Sequence, residues 1–155
     1  MKEICIIGKL ETKYQAPFDN PNVEIWSMNS HFDEVFIPKV DKWFDIHEEP
    51  TRENSDYTKD NFPFDQCHEL VHGKRFCSTM AYMIAFAILQ GADKIGIYGA
   101  KFTDDGNPRR QRELHNVREM LFFSLGRNIE IEVCEDDVED LFPEYKTVEG
   151  QDFDQ

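Results

Sequence analysis

The chain has 155 residues, with 31 acidic against 17 basic side chains and a formal net charge of -14. That length suits one domain with its own core. The charge excludes a broad basic surface for nucleic acid or anionic membrane, and the longest apolar run, Met80 to Leu89, is too short to span a bilayer.

The opening residues run straight into the apolar segment Glu3 to Ile7, closed by Gly8, which predicts a buried first strand and no secretory leader. Lys9 to Pro21 is polar with two prolines and reads as loop. Val23 to Met28 predicts a second strand, Ser30 to Ile37 a short helix stopped by Pro38, and Val40 to Ile46 a third strand. Glu48 to Phe64 is polar and reads as a loop or lid. Phe64 to His72 predicts a short helix closed by Gly73. Ser78 and Thr79 then cap a helix through Gln90 that is apolar nearly all round, with Gly91 as its stop.

Lys94 to Tyr98 predicts a fourth strand. Asn107-Pro108 is a cap with proline at the first helical position, opening a helix to Leu125 that Gly126 ends. Leu114, Val117, Leu121 and Leu125 form its expected core stripe. Ile129 to Val133 predicts the fifth strand. The pattern implies an α/β, Rossmann-like three-layer sandwich with a five-stranded, mostly parallel sheet. Analogy gives the order 3-2-1-4-5. The expected domain is 1–134, followed by a partly disordered acidic segment, 135–155. Cys5, Cys67, Cys77 and Cys134 show no C-x-x-C spacing. Free thiols, buried at Cys5 and Cys134, and a reducing compartment are expected.

The stretch HELVH, residues 68 to 72, fits H-E-x-x-H, which on a helix aims two imidazoles at a zinc ion. Pro63 and Gly73 leave too short a helix, and no third ligand follows at a metalloprotease spacing. The match is read as accidental and no metal is expected. His68 and His72 then lie on one side of a short surface helix, with Leu70 and Val71 turned inward.

Ligands of open α/β sheets sit beyond the carboxyl ends of the strands. The residues there are Gly8, Lys9, Thr12 and Lys13 after the first strand, Asn29 after the second, and Phe44 and His47 after the third. Arg75, Ser78 and Thr79 precede the apolar helix, and Gly99 and Lys101 follow the fourth strand. Arg109, Arg110 and Arg112 crowd a helix start, where cations oppose the dipole and an anion would relieve them. Pairing with the acidic surface is the alternative. Trp26, Trp43, Phe44, Tyr82 and Tyr98 either stack on a base or fill the core. With no G-x-G-x-x-G and no P-loop, no cofactor is expected. Cys77 and Ser78 have no identifiable base, and His47 is the best candidate acid or base.

The stretches APFDNPNVEIWSMN, DKWFDIH and FCSTMAYMIAFAILQGADKIGIYGAKF together resemble a group of small Rossmann-like proteins of tailed bacteriophages, over roughly residues 4 to 134. The second half is also similar to the nucleotide-binding half of bacterial sialyltransferases that use CMP-sialic acid. It departs from them at Lys101-Phe102, where such enzymes place an acidic residue. The resemblance implies a cytoplasmic protein of an infected bacterium with a nucleotide pocket. It further implies a sponge that sequesters an immune signal, such as a cyclic dinucleotide of CBASS defence, without catalysis and as a homodimer. A nucleotide or nucleotide-sugar transferase or hydrolase using His47 is the first alternative. An acidic protein-binding inhibitor is the second.

Overall fold

The computed structural model describes residues 1–100 and 106–142. Its frame is a six-stranded sheet of β1 (Glu3–Ile7), β2 (Val23–Met28), β3 (Lys42–Asp45), β4 (Tyr57–Thr58), β5 (Lys94–Tyr98) and β6 (Glu130–Val133). The order is β4-β3-β2-β1-β5-β6, and every pair is parallel. The five expected strands are all present. The sixth, β4, corrects the expected count. It pairs with Phe44 and Asp45 at the edge and is two residues long, too short to show an alternating pattern.

From β1 the chain steps outward to β2, β3 and β4, then crosses to β5 and steps outward again to β6. Right-handed crossovers put connections of opposite sense on opposite faces. Accordingly α1 (Phe64–Leu70), α2 (Thr79–Leu89) and α3 (Pro108–Gly126) all share one face, against Ile4, Ile6, Trp26, Met28 and Phe44. The other face presents Cys5, Ile7, Val23 and Ile25 to Ala16, Phe18 and Ile37. Its cover is thin, made of connecting segments with single 3-10 turns at Glu11–Gln15 and Glu34–Phe36. The second of these replaces the short helix expected over Ser30 to Ile37.

α2 is buried over most of its length, from Met80 to Ile88. Ser78 caps it, accepting from the Ala81 N–H at 3.4 Å. At its far end Gly91 takes φ +81°, and the Gly91 and Ala92 amides return to Ile88 and Ala87, which closes the last turn. α3 ends in the same way one step later than expected. Asn128, not Gly126, takes the left-handed conformation, with φ +62°. The core stripe of α3 is Leu114, Val117, Met120, Leu121 and Ser124, whereas Leu125 is 49% exposed. Position 124 continues the 3.6-residue period from 114, 117 and 121, and 125 rotates past it.

α1 ends at Leu70, and His72 lies outside it with φ +59°. The two histidines of HELVH therefore do not share a helical face. Cys67 and Val71 are the inward residues, with Leu70 only partly covered. Past β6, residues 135–141 return to the body as a 3-10 turn, Glu135–Asp137, and α4 (Val138–Leu141). Asp137 and Leu141 are buried.

Candidate functional site

The connections diverge at the carboxyl ends of β1 and β5, the point where this class of sheet opens a crevice. Gly8 and Gly99 face each other there. The Gly8 N–H donates to the Tyr98 carbonyl at 2.7 Å and the Leu10 N–H to the Gly99 carbonyl at 3.1 Å. A Cβ on Gly8 would fall 2.3 Å from the Gly99 oxygen, so only glycine permits this approach.

Above this floor is a cleft of about 540 Å³, within the usual range for small-molecule sites. Its lining includes Gly8, Lys9, Asn29, His47, Ser78, Thr79, Tyr82, Gly99, Arg109 and Arg110. Ten of the residues singled out in the sequence thus meet in one place. The N-terminal turns of α2 and α3 open onto it, the latter capped by Asn107, which accepts from the Arg109 N–H at 3.0 Å. The segment leading into α2 is tied to α3 by the Cys77 N–H, which donates to Asn116 Oδ1 at 2.9 Å. Arg109 also pairs with Glu113 of its own helix at 3.3 Å.

Asn29 has φ +55°, its N–H donates to the Phe44 carbonyl, and its carbonyl accepts from Trp43 Nε1 at 2.8 Å. Its Oδ1 is buried without a partner, so a donor on a ligand could satisfy it. The Cys77 thiol is pushed up, first by burial and then by Glu113. Burial likewise pushes the Tyr82 phenol up. Both groups therefore stay protonated at neutral pH.

Other expected residues lie elsewhere. Trp26 and Phe44 are fully buried, with ring centroids 5.0 Å apart. They pack against Phe86 and, for Phe44, Tyr57, so no ring face is left for a ligand. Lys13 is also fully buried. Its Nζ contacts Asp33 at 2.7 Å and the Lys9 carbonyl and His31 Nδ1 at 3.1 Å each. It anchors the β2–β3 connection rather than facing the cleft. The Tyr14 hydroxyl reinforces that anchor by donating to Asp33 Oδ2 at 2.5 Å, which pushes the Tyr14 phenol up to about 12. Thr12 donates to Asp137, Tyr98 donates to Glu132 at 2.6 Å, and Arg75 is exposed away from the lining. Lys101 lies outside the described residues.

Sequence reasoning missed Ile46, Glu48, Phe64 and Phe76 in the lining. Phe64 and Phe76 flank the HELVH stretch, and Phe76 sits two residues before the α2 cap. That position at a strand-edge helix start was the available signal. Among the described residues no group of three or more His, Cys, Asp or Glu is placed to hold a metal ion. Among them, too, no helix is long and apolar enough to cross a membrane.

Fold and cleft together define the chain as a Rossmann-like α/β protein with a crevice at its topological switch point. No protein-family profile matches it, and no curated protein matches it significantly in sequence. Solved structures do match. The sialyltransferase CstII from Campylobacter jejuni, in complex with the substrate analogue CMP-3FNeuAc, has a TM-score of 0.53 at 13% identity. That match covers 94% of this chain and 89% of the other. Sialyltransferase CST-II in complex with a trisaccharide acceptor and CMP gives 0.50 at 12% identity, with 94% and 89% covered. At such identity the likeness is one of fold.

Proposed function

We propose that the protein binds a nucleotide in the switch-point cleft and holds it without converting it, as a sink for a nucleotide signal such as a cyclic dinucleotide. The observation that carries this reading is the composition of the cleft. In a chain of net charge -14, three cations, Lys9, Arg109 and Arg110, gather there against two carboxylates, Glu48 and Glu113, beside the N-terminal turns of two helices. The reading is further supported by two groups that stay protonated, the Cys77 thiol and the Tyr82 phenol, which suits binding better than nucleophilic attack. In this reading the protein is a tailed-phage product acting in the cytoplasm of the infected cell. A homodimer would let paired subunits close over a symmetric ligand.

The test is incubation with a panel of mono-, di- and cyclic dinucleotides, followed by filtration, heat denaturation and chromatography of what is released. Retention with the ligand recovered intact is expected. Retention of nothing overturns nucleotide binding and moves the case to an acidic inhibitor of a protein.

A second reading, a nucleotide or nucleotide-sugar enzyme, is favoured by His47 on the cleft wall and by the fold shared with enzymes solved with CMP and with a CMP substrate analogue. It predicts conversion of a panel member, lost in His47→Ala. An unchanged rate in that variant removes His47 from the mechanism.

A further inference from the structure

We infer that the rings of Phe64, Phe76 and Tyr82 form the subsite for the base of the bound nucleotide, with His68 as the residue that positions it. The inference rests on the nucleotide reading of the cleft and adds where, and by what contact, the base is held.

All three rings line the cleft and each is only partly buried. Tyr82 stands nearly perpendicular to both neighbours, with centroids 5.1 Å from Phe64 at 88° and 4.8 Å from Phe76 at 68°. Behind them Phe62 is 5% exposed and packs edge-on against Phe64 and Tyr82 at 4.9 and 5.8 Å. The wall is thus held from the back by the core while its front borders the cleft. Of the other stacking candidates in the sequence, Trp26 and Phe44 are fully buried and have no such free surface.

His68 fixes the wall. Its Nε2 lies 2.9 Å from the Tyr82 hydroxyl, and its ring is 6.2 Å from that of Phe76. The first histidine of HELVH therefore has a role that needs no metal: it orients an aromatic ring. The rest of the lining includes Lys9, Ser78, Thr79, Arg109 and Arg110, groups suited to phosphate, together with the carboxylates of Glu48 and Glu113. A cleft with an aromatic part and a cationic part fits a molecule with a flat ring and an anion. A sugar phosphate would leave the aromatic part uncovered. Base stacking on aromatic side chains is worth about 1–3 kcal/mol per base, which corresponds to roughly 5- to 150-fold in affinity.

The experiment is calorimetric titration with 5′-CMP, 5′-AMP, cyclic di-AMP and ribose 5-phosphate. At least one base-bearing probe should bind roughly 5- to 150-fold more tightly than ribose 5-phosphate. Phe76→Leu, which keeps an apolar side chain but removes the ring, should erase most of that ratio and leave ribose 5-phosphate affinity unchanged. His68→Ala should reduce the ratio and His68→Gln, which can still bond the Tyr82 hydroxyl, should restore part of it. Loss of overall stability alone would lower all four affinities together, so the ratio reads positioning. Equal binding of all four probes overturns the aromatic subsite and leaves the anion pocket standing. Binding of none overturns the nucleotide reading and this inference with it.

Discussion

Replacing Asp137 by alanine tests whether the acidic stretch after β6 is part of the cleft's foundation or a solvated tail. Asp137 is 1% exposed, and its Oδ2 accepts the Gly99 N–H at 2.9 Å. The Thr12 hydroxyl donates to the same carboxylate at 2.8 and 3.1 Å. Gly99 is itself buried. Its φ is +73°, and the surroundings are tight: a Cβ there would meet Lys13 and the Leu10 carbonyl at 2.9 and 3.0 Å, so the segment has little room to shift. A buried donor left without an acceptor costs about 1–3 kcal/mol, and a hydrogen bond to a charged acceptor contributes about 1.5–3 kcal/mol. Thr12 is only partly buried and can turn to water, so it adds little. Asp137→Ala is therefore expected to lose about 2–4 kcal/mol. In a chain of this size that is roughly 4–16 °C in Tm. Urea unfolding followed by circular dichroism measures it. Asp136→Ala is the control: its bond from Gln15 at 2.8 Å is exposed, and the change should stay within about 0.5 kcal/mol. If Asp137→Ala also stays within about 0.5 kcal/mol of the native chain, the claim that this carboxylate holds the cleft floor is wrong.

Phe44→Ala should cost about 3–5 kcal/mol in the same assay while the ratio of nucleotide to ribose 5-phosphate affinity holds, because the ring packs only against the core; a changed ratio at native stability would contradict its assignment. Gly8→Ala should destabilise by at least about 3 kcal/mol, since the new carbon meets backbone at 2.3 Å. Gly91→Ala, in open space but at φ +81°, should cost only about 1–2 kcal/mol. Equal losses would show that the close approach of β1 and β5 is not rigid. Acid should unfold the protein in two overlapping ranges. His31 is held below its ordinary 6.5 by burial and then by Lys13, so stability falls as pH drops below that value, and His31→Asn should flatten the slope there. Asp33 is lowered to about 2 by the Lys13 and Tyr14 hydrogen bonds, and Glu132 is lowered by Lys94 and Tyr98. Their contributions persist above the ordinary carboxylate range and vanish as pH falls through the depressed values, so Glu132→Gln should weaken the low-pH transition. Native-like slopes in both variants would assign acid sensitivity to other groups.

The strands and helices were legible because their signals are local. Ile-rich runs ending in glycine, the serine cap before an apolar helix and Asn-Pro before an amphipathic one each act within a few residues. The carboxyl-edge rule then picked out Gly8, Lys9, Asn29, His47, Ser78, Thr79 and Gly99 of the cleft lining without knowledge of side-chain direction. It failed where direction decides. Trp26 alternates with Ser27 on β2, and the pleat turns it under the helices. Phe44 does the same on β3. Lys13 sits in a polar stretch that reads as loop, yet a 3-10 turn folds its side chain inward to Asp33 and His31, a partnership across twenty residues that no periodicity encodes. β4 was invisible because its pairing partner, not its own two residues, defines it as a strand.

The sheet fixes the position of the cleft, but the connections fix its chemistry. All three larger helices lie on one face, so the crevice between the ends of β1 and β5 is walled by α2, α3 and the segment before them on one side. On the other side are the short turns after β1, β2 and β3, which supply Lys9, Asn29 and His47. Those turns are held by bonds independent of any ligand: Lys13 and Asp33 under the first two, Trp43 Nε1 to the Asn29 carbonyl, and Asp45 accepting the Thr51 and Arg52 amides beneath the third. A cleft supported in this way is formed before anything binds. For the small ligand proposed above, little ordering would then have to be offset on association, which favours affinity.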